Sequence, residues 1–96
     1  MLNGSDILIV NPDVATQDTG EEFVVVLPEQ GKYVVLNTTG ARIVELADGK
    51  LTLTEIAAAI AHSYETSMAQ VLPDVLVFSA DLVSRGILHV LGSGRI

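Results

Sequence analysis

Two carboxylates, Asp74 and Asp81, come nearest to an acid and base pair in this sequence. They are seven residues apart, so on a helix they would lie two turns apart on one face. Carboxylates with this spacing are more often a solvated or partner-facing edge, and no sequence signal places a nucleophile beside a base. The two histidines, His62 and His89, lack the spacing of a metal pair. We therefore expect no catalytic residue and no metal site.

The cysteine count and the spacing of the glycines also predict no reactive or phosphate-binding site. The chain has no cysteine, which excludes a disulfide framework, a thiolate zinc site and a cysteine nucleophile. Gly40 follows Thr39, but neither GxGxxG nor GxxxxGK(S/T) spacing surrounds it, so no phosphate-binding loop is predicted. We expect a protein that is not an enzyme and has no cofactor.

Composition predicts one globular domain with an aliphatic core. The chain has 96 residues, of which 49% are hydrophobic and 4% are aromatic. A chain of this size forms one domain, and its core must come mostly from Val, Leu, Ile and Ala. We expect the domain to span residues 1–91 and residues 92–96 to form a flexible tail.

Charge restricts the partners of the protein. Twelve acidic residues oppose five basic ones, which gives a net charge of −7. This balance repels phosphate backbones and suits a partner with basic residues, although acidic surfaces also serve solubility. No apolar run approaches the roughly 20 residues that span a bilayer, and no signal peptide is visible. We expect a cytoplasmic protein that binds neither nucleic acid nor membrane.

The N-terminal third has the pattern of β-strands. Residues 14–17, 21–28 and 31–37 are predicted strands, and the last two are rich in β-branched side chains. Between them, PEQG at 28–31 predicts a hairpin with a loop of about four residues. The segment ILIV at 7–10 is short and apolar, and NPD after it is a turn signal.

The rest of the chain has the pattern of three helices. The first is predicted to start at Thr38 or Thr39, which would cap it, and to end at Asp48-Gly49 with a left-handed glycine cap. Thr52 and Glu55 fit a capping box that starts the second. Pro73 complicates the third, for which we favour residues 73–85 over a helix that is kinked at the proline. Gly86 then ends it, and residues 87–91 can form a closing strand.

This order predicts an α+β fold, in which a three-stranded antiparallel sheet packs on a three-helix bundle that resembles a winged helix-turn-helix. That bundle makes a DNA-binding transcription regulator one alternative. Its reading helix, 73–85, would offer Asp74, Asp81 and only Arg85, whereas DNA requires basic or amide side chains.

The third predicted strand suggests a different use. If the strands pair in chain order, Tyr33–Asn37 lies at the sheet edge with a row of free N–H and C=O groups. An extended peptide could add there as another strand. Alternatively, a helix of the same chain covers the edge, or a second copy of the chain does, and the second case would make the domain a dimerisation or scaffold module.

An ordered set of residues resembles one known family. A strand ending in Leu-Asn leads into a Thr-Gly helix start and a DG turn; a Thr-x-x-Glu-Ile helix, a Tyr and an Asp-Val-x-x-Phe helix follow. NPDV at 11–14 adds to the likeness, which extends over about residues 11–90. The matching residues are Leu36, Asn37, Thr39, Gly40, Ile43, Leu46, Asp48, Gly49, Thr52, Glu55, Ile56, Tyr64, Asp74, Val75, Phe78, Leu82, Gly86 and Leu88. The chain resembles the PqqD-like family, the recognition elements of ribosomally synthesised and post-translationally modified peptide (RiPP) pathways.

The resemblance implies a function without chemistry. Family members bind the leader segment of a precursor peptide beside the third strand and against the third helix. They present it to a modifying enzyme: a radical SAM protein, a leader protease or a cyclase. Carried over by position, the peptide-binding residues are Tyr33, Val34, Val35, Leu36 and Asn37 from the strand and Asp74, Val77, Phe78, Asp81 and Arg85 from the helix. A second copy of the chain, in a homodimer, is a further predicted partner.

Two residues depart from the family pattern. Ser79 stands where the family often has a large apolar residue, so looser packing is expected there. Pro73, directly before Asp74, is unusual for the family and leaves both alternatives for the start of the third helix open. The coenzyme pyrroloquinoline quinone branch and the lasso-peptide branch of the family look alike at this level.

Overall fold

A computed structural model describes residues 2–93, which form two three-stranded antiparallel sheets and three α-helices. The strands are β1 (Asp6–Val10), β2 (Ala15–Asp18), β3 (Phe23–Leu27), β4 (Lys32–Leu36), β5 (Asp48–Thr52) and β6 (Leu88–Ser93). The helices are α1 (Thr38–Leu46), α2 (Leu53–Ser63) and α3 (Met68–Ser84). This is the α+β class that the sequence predicts, with a second sheet in addition.

The first sheet has the order β2-β3-β4, so β4 lies at an edge as predicted. The pairing of Val25 with Val34 sets the register, and Val25 is fully buried. Because side chains alternate along a strand, Phe23, Val25 and Leu27 face the helices while Val24 and Val26 face outward. The predicted hairpin loop is a short 3-10 turn, Pro28–Gln30. Gly31 closes it at φ 62°, a left-handed conformation that glycine adopts without strain.

The second sheet, β5-β1-β6, differs from the prediction. The apolar segment at 7–10 becomes its central strand, and residues 48–52, predicted as a helix end and a turn, form β5. Gly49 has the expected positive φ, 82°, but lies within β5, because α1 ends at Leu46 with Ala47 as its C-cap. β5 pairs with β1 through Ile7 and Thr52, and no local pattern reveals a pairing over that sequence distance.

The Asp48 side chain holds the backbone at the start of β5. Its Oδ1 accepts hydrogen bonds from the backbone N–H groups of Lys50 (2.9 Å) and Leu51 (3.2 Å). The Lys50 N–H contributes most, and these bonds hold the pKa of the Asp48 carboxyl below its usual value because they favour the charged form.

The first helix begins with a different cap from the one predicted. Asn37, rather than Thr38 or Thr39, is the N-cap, and its Oδ1 accepts a hydrogen bond from the Gly40 N–H. An Asn at this position satisfies one of the free N–H groups of the first helical turn. Thr38 and Thr39 are helical residues. The capping box at Thr52 and Glu55 of α2 is confirmed, with both of its hydrogen bonds present.

The third helix is longer than predicted. It begins at Met68 after the N-cap Ser67, and Pro73 lies inside it. Val71 and Val75, one on either side of the proline, are buried in the core, which holds the helix together there. Pro73 is exposed, so the carbonyl that loses its partner can be hydrated. The chain then turns at Gly86, where φ is 79°.

β6 extends past the predicted closing strand and includes Gly92 and Ser93. The rest of the predicted tail, residues 94–96, lies outside the described residues.

The core lies between the two sheets and the three helices and is aliphatic, as composition indicates. Its largest fully buried members are Leu8, Ile43, Leu53, Ile56, Ile60, Ile87, Leu88, Val25 and Val75, together with Ser79. Ser79 is the one buried polar side chain found in residues 2–93, and its Oγ has no hydrogen-bond partner there.

Candidate functional site

The site is built on the free edge of β4. Among residues 2–93, this strand pairs with β3 and with no other strand. Alternate residues of an antiparallel edge strand turn their N–H and C=O groups outward, so β4 offers main-chain hydrogen bonds to an added strand. Val34 and Leu36 face the core side and are partly buried, whereas Tyr33 and Val35 face outward.

Asn37 defines where this edge ends. The Gly40 N–H donates to Asn37 Oδ1 at 2.8 Å, and the Ala41 N–H donates to the Asn37 carbonyl at 2.9 Å. Both acceptors of Asn37 therefore serve α1, and the strand stops at Leu36. The sequence placed Asn37 at the end of the strand; the structure makes it the link between the strand and the helix.

A groove separates β4 from α3. It encloses about 150 Å³ and is lined by Val34, Val35, Leu36, Asn37, Gly40, Phe78, Asp81, Leu82 and Arg85. The floor is apolar, because Leu82 is buried and Phe78 and Leu36 are partly buried. One wall is the free strand edge, so a peptide in the groove meets main-chain partners on one side and side chains on the other.

An ion pair lies on the α3 wall. Arg85 Nε donates to Asp81 Oδ2 at 2.8 Å, one helical turn apart, and each side chain is about half exposed. An exposed pair of this kind adds less than about 1 kcal/mol to stability. Its consequence here is electrostatic, since Arg85 neutralises the carboxylate nearest to the strand edge.

The structure brings most of the predicted site together but leaves three of its residues, Tyr33, Asp74 and Val77, outside the groove. Tyr33 is at the far end of β4 and is 71% exposed. Asp74 and Val77 lie on the exposed surface of α3, and Val77 is 67% exposed. Because successive helix residues are 100° apart, Asp74 shares the side of Phe78 and Asp81, whereas Val77 is turned further from the core.

Two lining residues were absent from the predicted set. Leu82 is both core and groove floor because it is buried and lies one turn after Phe78. Gly40 lines the groove from the first turn of α1. A side chain at Gly40 would place Cβ 3.3 Å from Asn37 Oδ1, so a glycine there keeps the cap undisturbed. The Asn37 to Gly40 spacing, typical of a capped helix start, is the signal that could have identified it.

The residue types that could do chemistry lie on separate elements. Asp74 and Asp81 are both on the surface of α3, while His62 ends α2 and His89 lies on β6. In the part of the chain that the structure describes, no group of three or more His, Asp or Glu side chains is placed to hold a metal ion. Nor is any helix there long and apolar enough to cross a membrane.

Comparison of the sequence with known proteins identifies one family. The sequence model of the family described as coenzyme PQQ synthesis protein D matches residues 22–88. No curated protein sequence matches the chain.

Three solved structures resemble the fold. TbiB1, solved in complex with the TbiA(beta) leader peptide, is 25% identical, with a TM-score of 0.75 over 84% of this chain and 94% of that one. A lasso peptide synthetase B1 complexed with its leader peptide is 21% identical, with a TM-score of 0.74 over 85% and 96%. The PqqD part of PqqCD from Methylobacterium extorquens, a RiPP recognition element, is 24% identical, with a TM-score of 0.77 over 93% and 95%.

Proposed function

Because the chain belongs to the family of coenzyme PQQ synthesis protein D, we propose that it is a peptide-recognition element. It binds the leader segment of a ribosomally synthesised precursor peptide as an added strand beside β4. It then presents that peptide to a modifying enzyme and performs no chemistry itself.

One observation carries this proposal: the free edge of β4 opens on an apolar groove whose other wall is α3. An added strand gains main-chain hydrogen bonds, which are insensitive to sequence, from the β4 backbone. The side chains of its alternate residues enter the groove, where Phe78 and Leu82 can contact apolar anchors. Two of the similar solved structures are complexes with leader peptides, which supports the same use of this fold here.

Charge defines the preferred peptide further. Asp81 lines the groove, and Asp74 lies outside it on the same side of α3; both carboxylates favour a leader with a Lys or Arg close to them. Arg85 already pairs with Asp81, so a basic leader residue must share or replace that partner. Tyr33, Val34, Val35, Leu36 and Asn37 form the strand side of the proposed site, and Asp74, Val77, Phe78, Asp81 and Arg85 form the helix side.

Presentation requires a second protein. Holding the leader close to a radical SAM protein, a leader protease or a cyclase raises the effective concentration of the peptide to be modified. Since the precursor is made by ribosomes, we place this work in the cytoplasm.

The DNA-binding alternative is not favoured by the charges. On α3, the exposed carboxylates Asp74 and Asp81 accompany Arg85, whose guanidinium is already paired. If α3 entered a DNA groove, the phosphates of the DNA would repel its acidic surface.

The direct experiment titrates a leader peptide into the protein by calorimetry. The peptide is the N-terminal half of any short precursor whose gene flanks that of this chain. In an antiparallel edge strand alternate residues turn their N–H groups outward, so either Val34 or Val35 supplies the donor for an added strand. Val34→Pro and Val35→Pro are both made, because proline removes this donor in one of the two variants. We expect the outward proline to weaken binding by about tenfold or more.

N-methylated leader peptides test the same contact with the unchanged protein. Each methyl group removes one N–H of the peptide, so affinity should fall at every second leader position. A uniform response along the leader, or unchanged affinity for a folded proline variant, would exclude strand addition. Sedimentation at several concentrations tests the remaining alternative, in which a second copy of the chain pairs along β4.

A further inference from the structure

The outer face of the β2-β3-β4 sheet is apolar and uncovered. Four side chains form this outer face: Val24, Val26, Tyr33 and Val35. Val26 is 38% exposed, Tyr33 71% and Val35 47%. The neighbouring strand β2 adds only Ala15 and Gln17 on this side, and both are exposed. In residues 2–93, no helix packs on this face, since the buried members of β3 are on the opposite one.

The residue pattern of β3 and β4 is typical of a sheet that is covered on both faces. Sheets with one solvated face alternate apolar and polar residues, whereas strands buried on both faces are continuous apolar runs. β3 has the sequence FVVVL, and β4 continues with YVVL after Lys32. The inner members face the core, whereas on the outer side Val26, Tyr33 and Val35 are exposed and Val24 is partly buried.

Charge at one end of this face indicates what covers it. Val35 borders a depression of about 460 Å³ between this end of the sheet and the start of α1, and the carboxylates of Asp18, Glu21 and Glu22 line it. The one cation that lines it is Arg42, and it is already paired with Glu45 at 3.4 Å. The apolar face therefore ends at a negatively charged border, which complements a surface with Lys or Arg around an apolar centre.

We propose that this outer face is the docking surface for the modifying enzyme, which contacts Val26 and Val35 with apolar side chains and the acidic border with Lys or Arg. A second copy of the chain does not fit, because it would bring two acidic borders and two net charges of −7 together. The inference rests on the proposed function in one respect: a leader strand beside β4 extends this face. The enzyme would then contact the leader as well as the protein, and each would strengthen binding of the other.

Val26 allows a test that changes no residue of the proposed leader site, since it lies on the central strand β3; because it pairs with Tyr33 on β4, leader affinity is measured for every Val26 variant. The probes are any radical SAM protein, leader protease or cyclase whose gene flanks that of this chain, each purified and titrated into the protein with and without leader peptide. Val26→Asp should weaken enzyme binding by about tenfold or more. Val26→Thr keeps the branched shape and should cause a smaller loss.

Val90→Asp is the matched control. Val90 is 46% exposed in a strand of the other sheet, so it receives the same change at similar exposure outside the outer face. Its enzyme affinity should stay within about twofold of wild type. Glu21→Gln with Glu22→Gln should weaken enzyme binding at low salt, and the loss should shrink as salt rises.

Leader binding, measured separately, distinguishes the two proposals. Loss of enzyme binding in Val26→Asp with unchanged leader affinity supports the docking face. Enzyme binding that is unchanged in a folded Val26→Asp variant, or equally weakened in Val90→Asp, overturns it while the leader function stands. A wild-type dimer that Val26→Asp dissociates also overturns it, in favour of a second copy. If wild type binds enzyme but no leader, the proposed function fails and the docking face is judged by the Val26 variants alone.

Discussion

The Asn37 side chain accepts a hydrogen bond from the Gly40 backbone N–H at 2.8 Å, and this one contact ends β4 and begins α1. It fixes the free strand edge relative to the helix that follows. Both residues also line the groove between β4 and α3. The contact is therefore part of the fold and part of the boundary of the proposed peptide site.

Asn37→Ala should lower the free energy of unfolding by about 1 kcal/mol, because it leaves an N–H of the first helical turn without its cap. Asn37→Asp keeps an oxygen acceptor at the helix N-terminus and should lose much less. Urea denaturation of the three proteins measures the difference. Equal losses in the two variants would mean that the cap contributes nothing beyond local packing.

Ser79→Ala should leave stability unchanged or raise it by about 1 kcal/mol. Ser79 is fully buried on α3, and its hydroxyl has no hydrogen-bond partner in residues 2–93. A buried hydroxyl without a partner costs free energy, and alanine removes it with little loss of volume. Ser79→Val tests the looser packing predicted for this position, since it fits only where space remains. Thermal and urea unfolding measure both variants, and a clear loss in Ser79→Ala would reveal a partner for the hydroxyl.

Asp48 should make stability depend on acid pH. Its pKa is lowered by the N–H groups of Lys50 and Leu51, so its contribution is present at neutral pH and is lost as pH falls through the lowered pKa. Asp48→Asn cannot titrate. The difference in unfolding free energy between wild type and Asp48→Asn should therefore be constant above about pH 5 and change as pH falls below about 4. Urea unfolding across this range checks it, and a difference independent of pH would contradict it.

Asp81 and Arg85 should affect leader binding in opposite directions. Arg85→Gln frees the Asp81 carboxylate and should strengthen binding of a leader with Lys or Arg, whereas Asp81→Asn should weaken it, each by a few-fold at low salt. Asp13→Asn, an equal charge change outside the groove, is the control. Calorimetry at low and high salt measures the affinities, and changes of the same sign in the two variants would exclude this role.

Local patterns were sufficient where a structure depends on neighbours in sequence. Thr52 and Glu55 satisfy each other across three residues, so the start of α2 could be predicted from spacing. The β3-β4 hairpin was equally predictable, because Pro28 and Gly31 set its turn. Most residues of the groove also followed from the family resemblance.

Local patterns failed where distant parts of the chain compete. Asp48-Gly49 has the composition of a helix end, yet it forms β5 because β1, about 40 residues earlier, offers a strand to pair with. Pro73 predicted a late helix start, but burial of Val71 and Val75 keeps α3 continuous through it. In both cases tertiary packing outweighs a local preference of a few kcal/mol at most.

The sequence by itself determined the hairpin, the three helices, the aliphatic core and the acidic charge, because these depend on residue type and short-range spacing. Only the tertiary structure decided that β4 is free on one side, that Phe78, Asp81 and Arg85 lie across a groove from it, and that the outer valines are uncovered. These are relations between segments far apart in the chain. Their free energy comes from burial and pairing that exist only after the chain has folded.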